Sequence, residues 1–139
     1  MIGCPPKERV VAVELGTESR AYPFSRLREI RVINDRIEDR MIVVFWAPGT
    51  ASAVDAASIA SSRDVGAAGV FDRTVDSRRL TFEPNGNGLF QDKQTGSTWN
   101  LLGYAIAGPM AGHRLAAIEH GNHFWFAWAV FKPDTKVVR

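Results

Sequence analysis

Short apolar runs alternate with polar turns along most of the chain, with the spacing typical of antiparallel strands. Residues 72–115 show this most clearly, because Asn-Gly, Thr-Gly and Gly-Pro breaks separate the apolar runs at close intervals. Leu80 and Phe82 alternate with polar neighbours, and the Asn-Gly-Asn-Gly segment of residues 85–88 supplies the left-handed conformations that a tight reversal needs. This region predicts a meander of short antiparallel strands.

The first part of the chain contains further apolar segments. Residues 10–15 and 21–24 predict a hairpin around Gly16, and residues 30–33 predict a strand that ends at Asn34-Asp35. Residues 41–47, MIVVFWA, are almost continuously apolar, as a strand buried on both faces would be. We expect this last segment to be the central strand.

The end of the chain predicts more strands and one helix. Residues 99–102, 104–107 and 115–118 extend the strand pattern. The run FWFAWAVF, residues 124–131, follows Asn122 as a candidate N-cap, precedes Pro133 and has aromatic residues at helical spacing. The predicted fold is therefore mainly β, a β-rich α+β class: an antiparallel barrel-like or sandwich meander with one short buried C-terminal helix.

The composition is that of one globular domain covering residues 1–139. Between residues 48 and 69 the sequence turns to Ala, Ser, Gly and Asp, which predicts a long loop that serves as a lid or mouth, or else an insertion without fixed structure. Cys4 is the single cysteine, so no intrachain disulfide can form. No cofactor is indicated.

Charge and hydropathy limit the partners that we expect. The formal net charge is +2 and the basic residues are scattered, which argues against nucleic acid. The longest apolar run is far shorter than the ~20 residues that span a bilayer, so we expect no membrane partner. As given, the chain is expected to be soluble and cytoplasmic, or exported if a longer precursor exists.

Metal-ligand residue types cluster only around His120 and His123. Glu119 or Asp55 could add a carboxylate, and Zn²⁺ accepts imidazole and carboxylate ligands. Gly121-Asn122 favours a turn, however, so the two imidazoles need not converge. Neither a Gly-x-Ser-x-Gly elbow nor a phosphate-binding P-loop is present in the sequence, so nucleophilic catalysis and nucleotide hydrolysis rest on no motif.

A series of short motifs resembles one protein family in order and along nearly the whole chain. The motifs are RAYPF (20–24), IND (33–35), VFDR (70–73), LTF (80–82), DKQTGSTWN (92–100), AIAGPMAGHRL (105–115) and KPDT (132–135). The chain thus resembles the bacterial domain-of-unknown-function family 3179, which implies no established activity. Many members carry a Cys-Pro-x-Cys segment after the central strand and a His-Glu pair, but this chain has FWAPGTASA and Ile30-Arg31 there, and so looks like a variant branch.

The polar and aromatic residues of these motifs suit a pocket with a few convergent donors. We take five of them as binding candidates, together with two tryptophans of the predicted helix. The candidates are Asp35, Arg73, Thr95, Ser97, Trp99, Trp125 and Trp128. The alternative is that turn hydrogen bonds, core packing and an ion pair explain the same residues.

Three functions of different class follow. We rank first a non-catalytic module that binds a small molecule in an aromatic-lined pocket. A homo-oligomeric assembly module, with a homodimer as its default form, comes second. A metal-assisted hydrolase that uses His120 and His123 comes last, because no convincing acid, base or nucleophile accompanies them.

Overall fold

The structure of the protein is a computed structural model, and it describes residues 8–47, 67–86, 88–132 and 134–138. These residues form thirteen strands and two helices. The strands are β1 (Arg9–Leu15), β2 (Glu18–Pro23), β3 (Val32–Ile37), β4 (Arg40–Ala47), β5 (Ala67–Asp72), β6 (Thr74–Val75), β7 (Arg78–Arg79), β8 (Phe82–Pro84), β9 (Phe90–Asp92), β10 (Thr98–Trp99), β11 (Ala105–Ala107), β12 (Gly121–Phe124) and β13 (Lys136–Val137). The helices are α1 (Phe24–Ile30) and α2 (Trp125–Phe131).

The described strands form several small sheets and do not close into a barrel. Their orders are β12-β1-β2-β13, β11-β10-β9-β8 and β3-β4-β5, with a separate β6-β7 hairpin. Every paired neighbour is antiparallel except β13, which runs parallel to β2. The mainly β, antiparallel fold with a short C-terminal helix is confirmed.

The predicted first hairpin is present. Strands β1 and β2 pair from Val10 opposite Pro23 to Leu15 opposite Glu18. Gly16 has a φ of +61°, the left-handed conformation that this reversal requires. Residues 10–13 are all buried, because alternate side chains of β1 pack into different clusters, one that includes α1 and one that includes Trp128 of α2.

The segment predicted as the central strand is β4, which lies between β3 and β5. Its residues 42–47 are all buried. Ile42, Val44 and Trp46 face the cluster that contains α1, whereas Val43 and Phe45 face a second cluster formed with the β8–β11 sheet. In that second cluster the ring of Phe45 stacks on Phe90, with centroids 4.1 Å apart. This strand therefore separates two apolar cores.

Two predictions around β3 were wrong. Residues 24–30 form helix α1, which the sequence reasoning missed, and α1 ends at Arg31 in the left-handed conformation with φ 68°. The strand does not end at Asn34-Asp35 but continues to Ile37. Polar residues could enter this strand because the side chains of Asn34 and Asp35 find partners in other strands.

Some boundaries in the later part of the chain also differ. Residues 115–118 form no strand; within them, Ala117 makes an isolated bridge to Phe71. Strand β10 stops at Trp99, and Leu101 and Leu102 lie in a turn, because Asn100 accepts a hydrogen bond from Leu102. The predicted loop ends before Ala67, where β5 begins, and its residues 48–66 lie outside the described residues.

The predicted C-terminal helix is present as α2, but it starts later than expected. Asn122 is part of β12, which pairs with β1, instead of capping the helix. Trp128 is buried while Val130 is exposed, so α2 covers the β12-β1-β2-β13 sheet with one side. No helix among the described residues is long and apolar enough to cross a membrane.

One asparagine side chain joins two of the sheets. The Asn34 side chain donates through Nδ2 to the carbonyl oxygen of Phe82 and accepts through Oδ1 from the Phe82 N–H, both at 2.9 Å. The amide therefore imitates a neighbouring strand and satisfies both peptide groups of a buried residue. Strand β8 is held against β3 by this pair of bonds.

We expect Asn34→Ala to lower the free energy of unfolding by about 1–3 kcal/mol, because it leaves the buried N–H and C=O of Phe82 without partners. The exposed Asn85 provides the matched control, and we expect Asn85→Ala to change stability by less than about 0.5 kcal/mol. Urea unfolding followed by circular dichroism measures both. Equal effects of the two substitutions would contradict the role of Asn34.

Candidate functional site

Asp35 lies in β3, where its carboxylate joins this strand to β2. Arg20 Nη1 donates to the two carboxylate oxygens at 2.9 and 2.8 Å, and the Tyr22 hydroxyl donates to Oδ2 at 2.8 Å. Arg20 also pairs with Glu18 of its own strand. The carboxylate predicted to bind a ligand is thus engaged by side chains of another sheet.

The electrostatics of this network follow from its burial and its charges. Burial raises the pKa of Tyr22, and the neighbouring Asp35 carboxylate raises it further. The hydrogen bond from Arg20 lowers the pKa of Glu18. Burial lowers the pKa of Arg20, but hydrogen bonds to Glu18 and Asp35 outweigh that effect and leave the pKa above its usual value. The network therefore favours a cationic arginine and a neutral phenol.

Arg73 is buried between β5 and β6 and donates to main-chain oxygens. Nε bonds to the carbonyl of Ile42 at 2.8 Å, Nη1 to that of Leu80 at 3.0 Å, and Nη2 to that of Asp35 at 3.2 Å. Burial lowers the pKa of the guanidinium, and repulsion from Arg79 lowers it further. Arg73 ties three chain segments together, and its bond to Asp35 is to the main chain rather than the carboxylate.

Three further binding candidates converge on the buried carboxylate of Asp92. Thr95 donates to it through both its N–H and its hydroxyl, and the indole N–H of Trp99 donates to Oδ2 at 2.8 Å. The hydroxyl of Ser97 lies 2.7 Å from that of Thr95 and accepts from the N–H of Met110 at 2.9 Å. We call these four side chains the Asp92 network.

The Asp92 network also explains part of the AGPMAG motif. Gly108 has a φ of +93°, and a Cβ atom there would lie 2.6 Å from Cα of Ser97. Only glycine allows the chain to pass so close to Ser97. The AGPMAG motif therefore forms a turn that packs closely against Ser97, beside the β8–β11 sheet.

Five of the seven predicted binding residues thus belong to two separate internal networks. Asp35 and Arg73 are joined through the main-chain oxygen of Asp35, while Thr95, Ser97 and Trp99 bond around Asp92. The donors and acceptors that the sequence analysis identified find their partners within the chain. A ligand at these residues stays a prediction.

Of the two helix tryptophans, the structure describes only the side chain of Trp128. Its indole N–H donates to the hydroxyl of Thr135 at 2.7 Å, and its ring lies 4.9 Å from that of His123. The side chain of Trp125 lies outside what the structure describes. Trp128 packs beneath the β1 strand, in the cluster with Val10 and Ala12.

The two histidines of the predicted metal site line one small cleft of about 280 Å³, together with Glu14 and Glu119. The Nδ1 atom of His120 lies 3.0 Å from the carbonyl oxygen of Ile118. Over the ranges that the structure describes, no three His, Cys, Asp or Glu side chains are grouped so that they could hold a metal ion. Metal binding at His120 and His123 stays a prediction.

A groove of about 760 Å³ lies where the β1–β2 turn meets Lys132 and residues 134–136. Its lining has two lysines and four acids, and Lys132 lies 2.5 Å from Glu14 while Lys136 lies 3.4 Å from Glu18. The lining therefore has a formal net charge of 2 − 4 = −2, which does not attract an anion, and ion pairs at an exposed surface contribute little.

A different cleft is lined by a side chain whose buried donor has no acceptor among the described residues. Trp46, near the end of β4, is 3% exposed, and its Nε1 atom has no hydrogen-bond partner among the residues that the structure describes. Trp46 lines a cleft of about 300 Å³ between α1 and the β8–β9 hairpin. The other lining residues are Glu29, Arg31, Pro84, Gly86, Gly88, Leu89 and Phe90. We call this cavity the Trp46 cleft.

Arg31 places a positive charge over this cleft. Its guanidinium carbon lies 5.4 Å from the centroid of the Trp46 ring, within the range of a cation–π contact. The side chain is positioned by the left-handed end of α1 and by a hydrogen bond from Nε to the carbonyl of Arg28. An unpaired indole donor and a guanidinium therefore flank the same small cavity.

The sequence analysis missed this cleft because it assigned residues 41–47 to the core as one apolar run. The available signal was Trp46 itself, since a buried indole N–H needs an acceptor that an apolar strand does not supply. The neighbouring role of Arg31 could not be seen, because helix α1 was not predicted. The two glycines of the Asn-Gly-Asn-Gly hairpin were assigned to the turn alone.

We expect Asp92→Asn to lower the free energy of unfolding by about 2–3 kcal/mol, because the amide cannot accept from all the donors that the carboxylate satisfies. The exposed Asp39 gives a control, and Asp39→Asn is expected to change stability by less than about 0.5 kcal/mol. Thermal unfolding of the two variants tests this. Similar losses in both would refute the importance of the Asp92 network.

The chain has two tyrosines, so Tyr104→Phe isolates the phenol of Tyr22. Because burial and Asp35 raise its folded-state pKa above the unfolded value of about 10, stability from this group is complete below that pH and is lost as pH rises through the folded pKa. Ultraviolet absorbance should show ionisation of Tyr22 only well above its usual range, together with unfolding. Ionisation near pH 10 in the folded protein would contradict the network.

Comparison with known families gives one match. Residues 3–135 match the model of a family described as "Protein of unknown function (DUF3179)". No curated protein and no solved structure matches the chain.

Proposed function

The chain belongs to the DUF3179 family of proteins of unknown function, and we propose that it is a non-catalytic module that binds a small molecule in the Trp46 cleft. The observation that carries this proposal is the buried indole N–H of Trp46, which has no acceptor among the described residues. A buried polar group without a partner costs free energy, and a ligand that accepts its hydrogen bond would recover that cost.

The size and composition of the cleft support the same function. A volume of about 300 Å³ is at the small end of the range for ligand sites. Its walls combine apolar surface from Trp46, Leu89 and Pro84 with the charged groups of Arg31 and Glu29. Small-molecule sites typically have this composition, with mostly apolar walls and a few polar groups that orient the ligand.

The cleft is also held open by rigid parts of the fold. One wall is the end of α1 and β4, and the other is the β8–β9 hairpin. The stack of Phe45 on Phe90 and the bonds from Asn34 to Phe82 connect these walls. A cavity between elements joined in this way needs little reorganisation to accept a ligand, which favours binding.

A homo-oligomeric assembly module is the second candidate, and one observation favours it. Leu102, Tyr104 and Ile106 are exposed, whereas Gly103 and Ala105 between them are buried. These three exposed apolar side chains are close together in the chain, and exposed apolar patches often mark interfaces. A homodimer would cover them.

The remaining expectations from the sequence stay predictions. The metal-assisted hydrolase would use His120 and His123, which share a cleft with Glu14 and Glu119. A cytoplasmic location, a bacterial origin and the lack of a nucleic-acid partner belong to the same group. None of them contributes to the proposal for the Trp46 cleft.

We expect Trp46→Phe to abolish or weaken at least about tenfold the binding of small molecules that the wild-type protein selects from a fragment library. The substitution keeps an aromatic ring and removes the N–H. Trp128→Phe is the matched control, because the Trp128 N–H already has Thr135 as its partner. Ligand-observed NMR measures binding to all three proteins.

The wild-type protein offers a second readout in case Trp46→Phe does not fold. Ligands should shift the indole N–H resonance of Trp46 and leave that of Trp99, which bonds to Asp92, in place. Binding that persists in Trp46→Phe, or ligands that leave the Trp46 resonance unchanged, would refute this site.

A further inference from the structure

We infer that the ligand of the Trp46 cleft is a small organic acid, whose carboxylate pairs with Arg31 and accepts from the Trp46 indole N–H. This inference rests on the proposed function, since it names the chemical class of ligand for the same cleft. Four features of the cleft support it: the unused hydrogen-bond donors, the position of the guanidinium, the local charge balance and the apolar walls.

Two side chains that line the cleft have donors without acceptors among the described residues. From Trp46, Nε1 has no acceptor, and from Arg31 only Nε is bonded, to the carbonyl of Arg28 at 3.2 Å. Both terminal nitrogens of the guanidinium thus lack an acceptor in the described part of the chain. A carboxylate has two oxygens and only accepts, so it matches a guanidinium edge and one further N–H.

The guanidinium of Arg31 and the indole of Trp46 are neighbours in the lining of the cleft. The guanidinium carbon lies 5.4 Å from the centroid of the indole ring. A planar carboxylate is the group that a guanidinium binds in a bidentate manner, and the indole of Trp46 lies beside the guanidinium in the lining of the same cleft. The left-handed conformation of Arg31 fixes the origin of this side chain at the edge of the cleft.

The charges around the cleft favour a single negative charge. Residues 24–31 carry three arginines and one glutamate, which gives 3 − 1 = +2. That glutamate, Glu29, is the one acid among the described lining residues, and it is mostly exposed and lies 3.4 Å from Arg26. Within the described lining Arg31 and Glu29 cancel, so the net positive charge that favours an anion comes from the two other arginines of residues 24–31, and Glu29 repels a phosphate dianion more strongly than a monoanion.

The walls indicate that the acid carries a compact apolar body. Trp46, Pro84, Leu89 and Phe90 present apolar surface, and the glycines at 86 and 88 add no side chains to the cavity. A Cβ atom on Gly88 would come no closer than 3.7 Å to Ala47, so this edge is open. A ring or short chain attached to the carboxylate fits about 300 Å³.

The test compares acids with their amides on the whole protein. The probes are benzoate and 3-phenylpropanoate, each paired with its primary amide, and phenyl phosphate. Binding is followed by the indole N–H resonance of Trp46 and by ligand-observed NMR. We expect both acids to bind at least about tenfold more tightly than their amides, which is the usual gain from a charge-assisted hydrogen bond.

Arg31→Asn tests the pairing residue directly. Asparagine tolerates the left-handed conformation at this position, so the helix end should persist without the cation. We expect this variant to lose the preference for acid over amide but to keep binding of the amide. Arg40→Asn, which removes an exposed arginine outside the cleft, should keep the wild-type preference.

The outcomes separate this inference from the function on which it rests. Equal binding of acids and amides, or a preference that survives in Arg31→Asn, overturns the carboxylate while the binding function stands. Tighter binding of phenyl phosphate that depends on Arg31 overturns it in favour of a phosphate ester. If none of the probes, and no member of the fragment library, shifts the Trp46 resonance, both proposals fail.

Discussion

The burial of residues 42–47 of β4 on both faces is the constraint on which the rest of the structure depends. Side chains of residues 42–47 alternate between two apolar clusters, so both faces of this strand must be covered. Helix α1 covers one face, and the β8–β11 sheet covers the other through Phe45, Phe82 and Phe90. The alternation of a single strand therefore fixes the position of two otherwise separate layers.

Polar side chains complete what this burial requires. Where strands of different sheets meet, main-chain groups lack strand partners, and side chains take that role: Asn34 for Phe82, and Arg73 for the carbonyls of Ile42 and Leu80. The carboxylate of Asp92 likewise accepts from the main-chain N–H of Thr95 and from the indole N–H of Trp99. Several polar residues of the family motifs thus satisfy buried donors and acceptors.

Against this background the indole N–H of Trp46 is different. The fold satisfies the buried N–H groups of Trp99 and Trp128 with Asp92 and Thr135, but among the described residues nothing accepts from Trp46. It lies on the face of β4 that packs toward α1, next to the arginine that ends that helix. Binding sites typically combine a cavity with a few polar groups that lack partners inside the protein. The interior of a packed core has no use for such groups.

The sequence by itself determined the strands whose pattern is local. Alternation and glycine turns predicted the β1–β2 and β8–β9 hairpins, and one continuous apolar run predicted β4. These predictions succeed because the two-residue period of a strand is visible within a few neighbouring residues. The helix of residues 125–131 was likewise indicated by aromatic residues at helical spacing. Motif order along the chain was enough to identify the family.

Only the tertiary structure decided which polar residues face each other. Asn34 and Asp35 read as a turn locally, yet they lie within β3 because Phe82, Arg20 and Tyr22 supply partners from distant positions. For the same reason five of the binding candidates bond within two internal networks, while the Trp46 cleft forms from segments about 40 residues apart in the chain. Which donor meets which acceptor depends on how distant segments pack together, and the local pattern of a sequence does not show that.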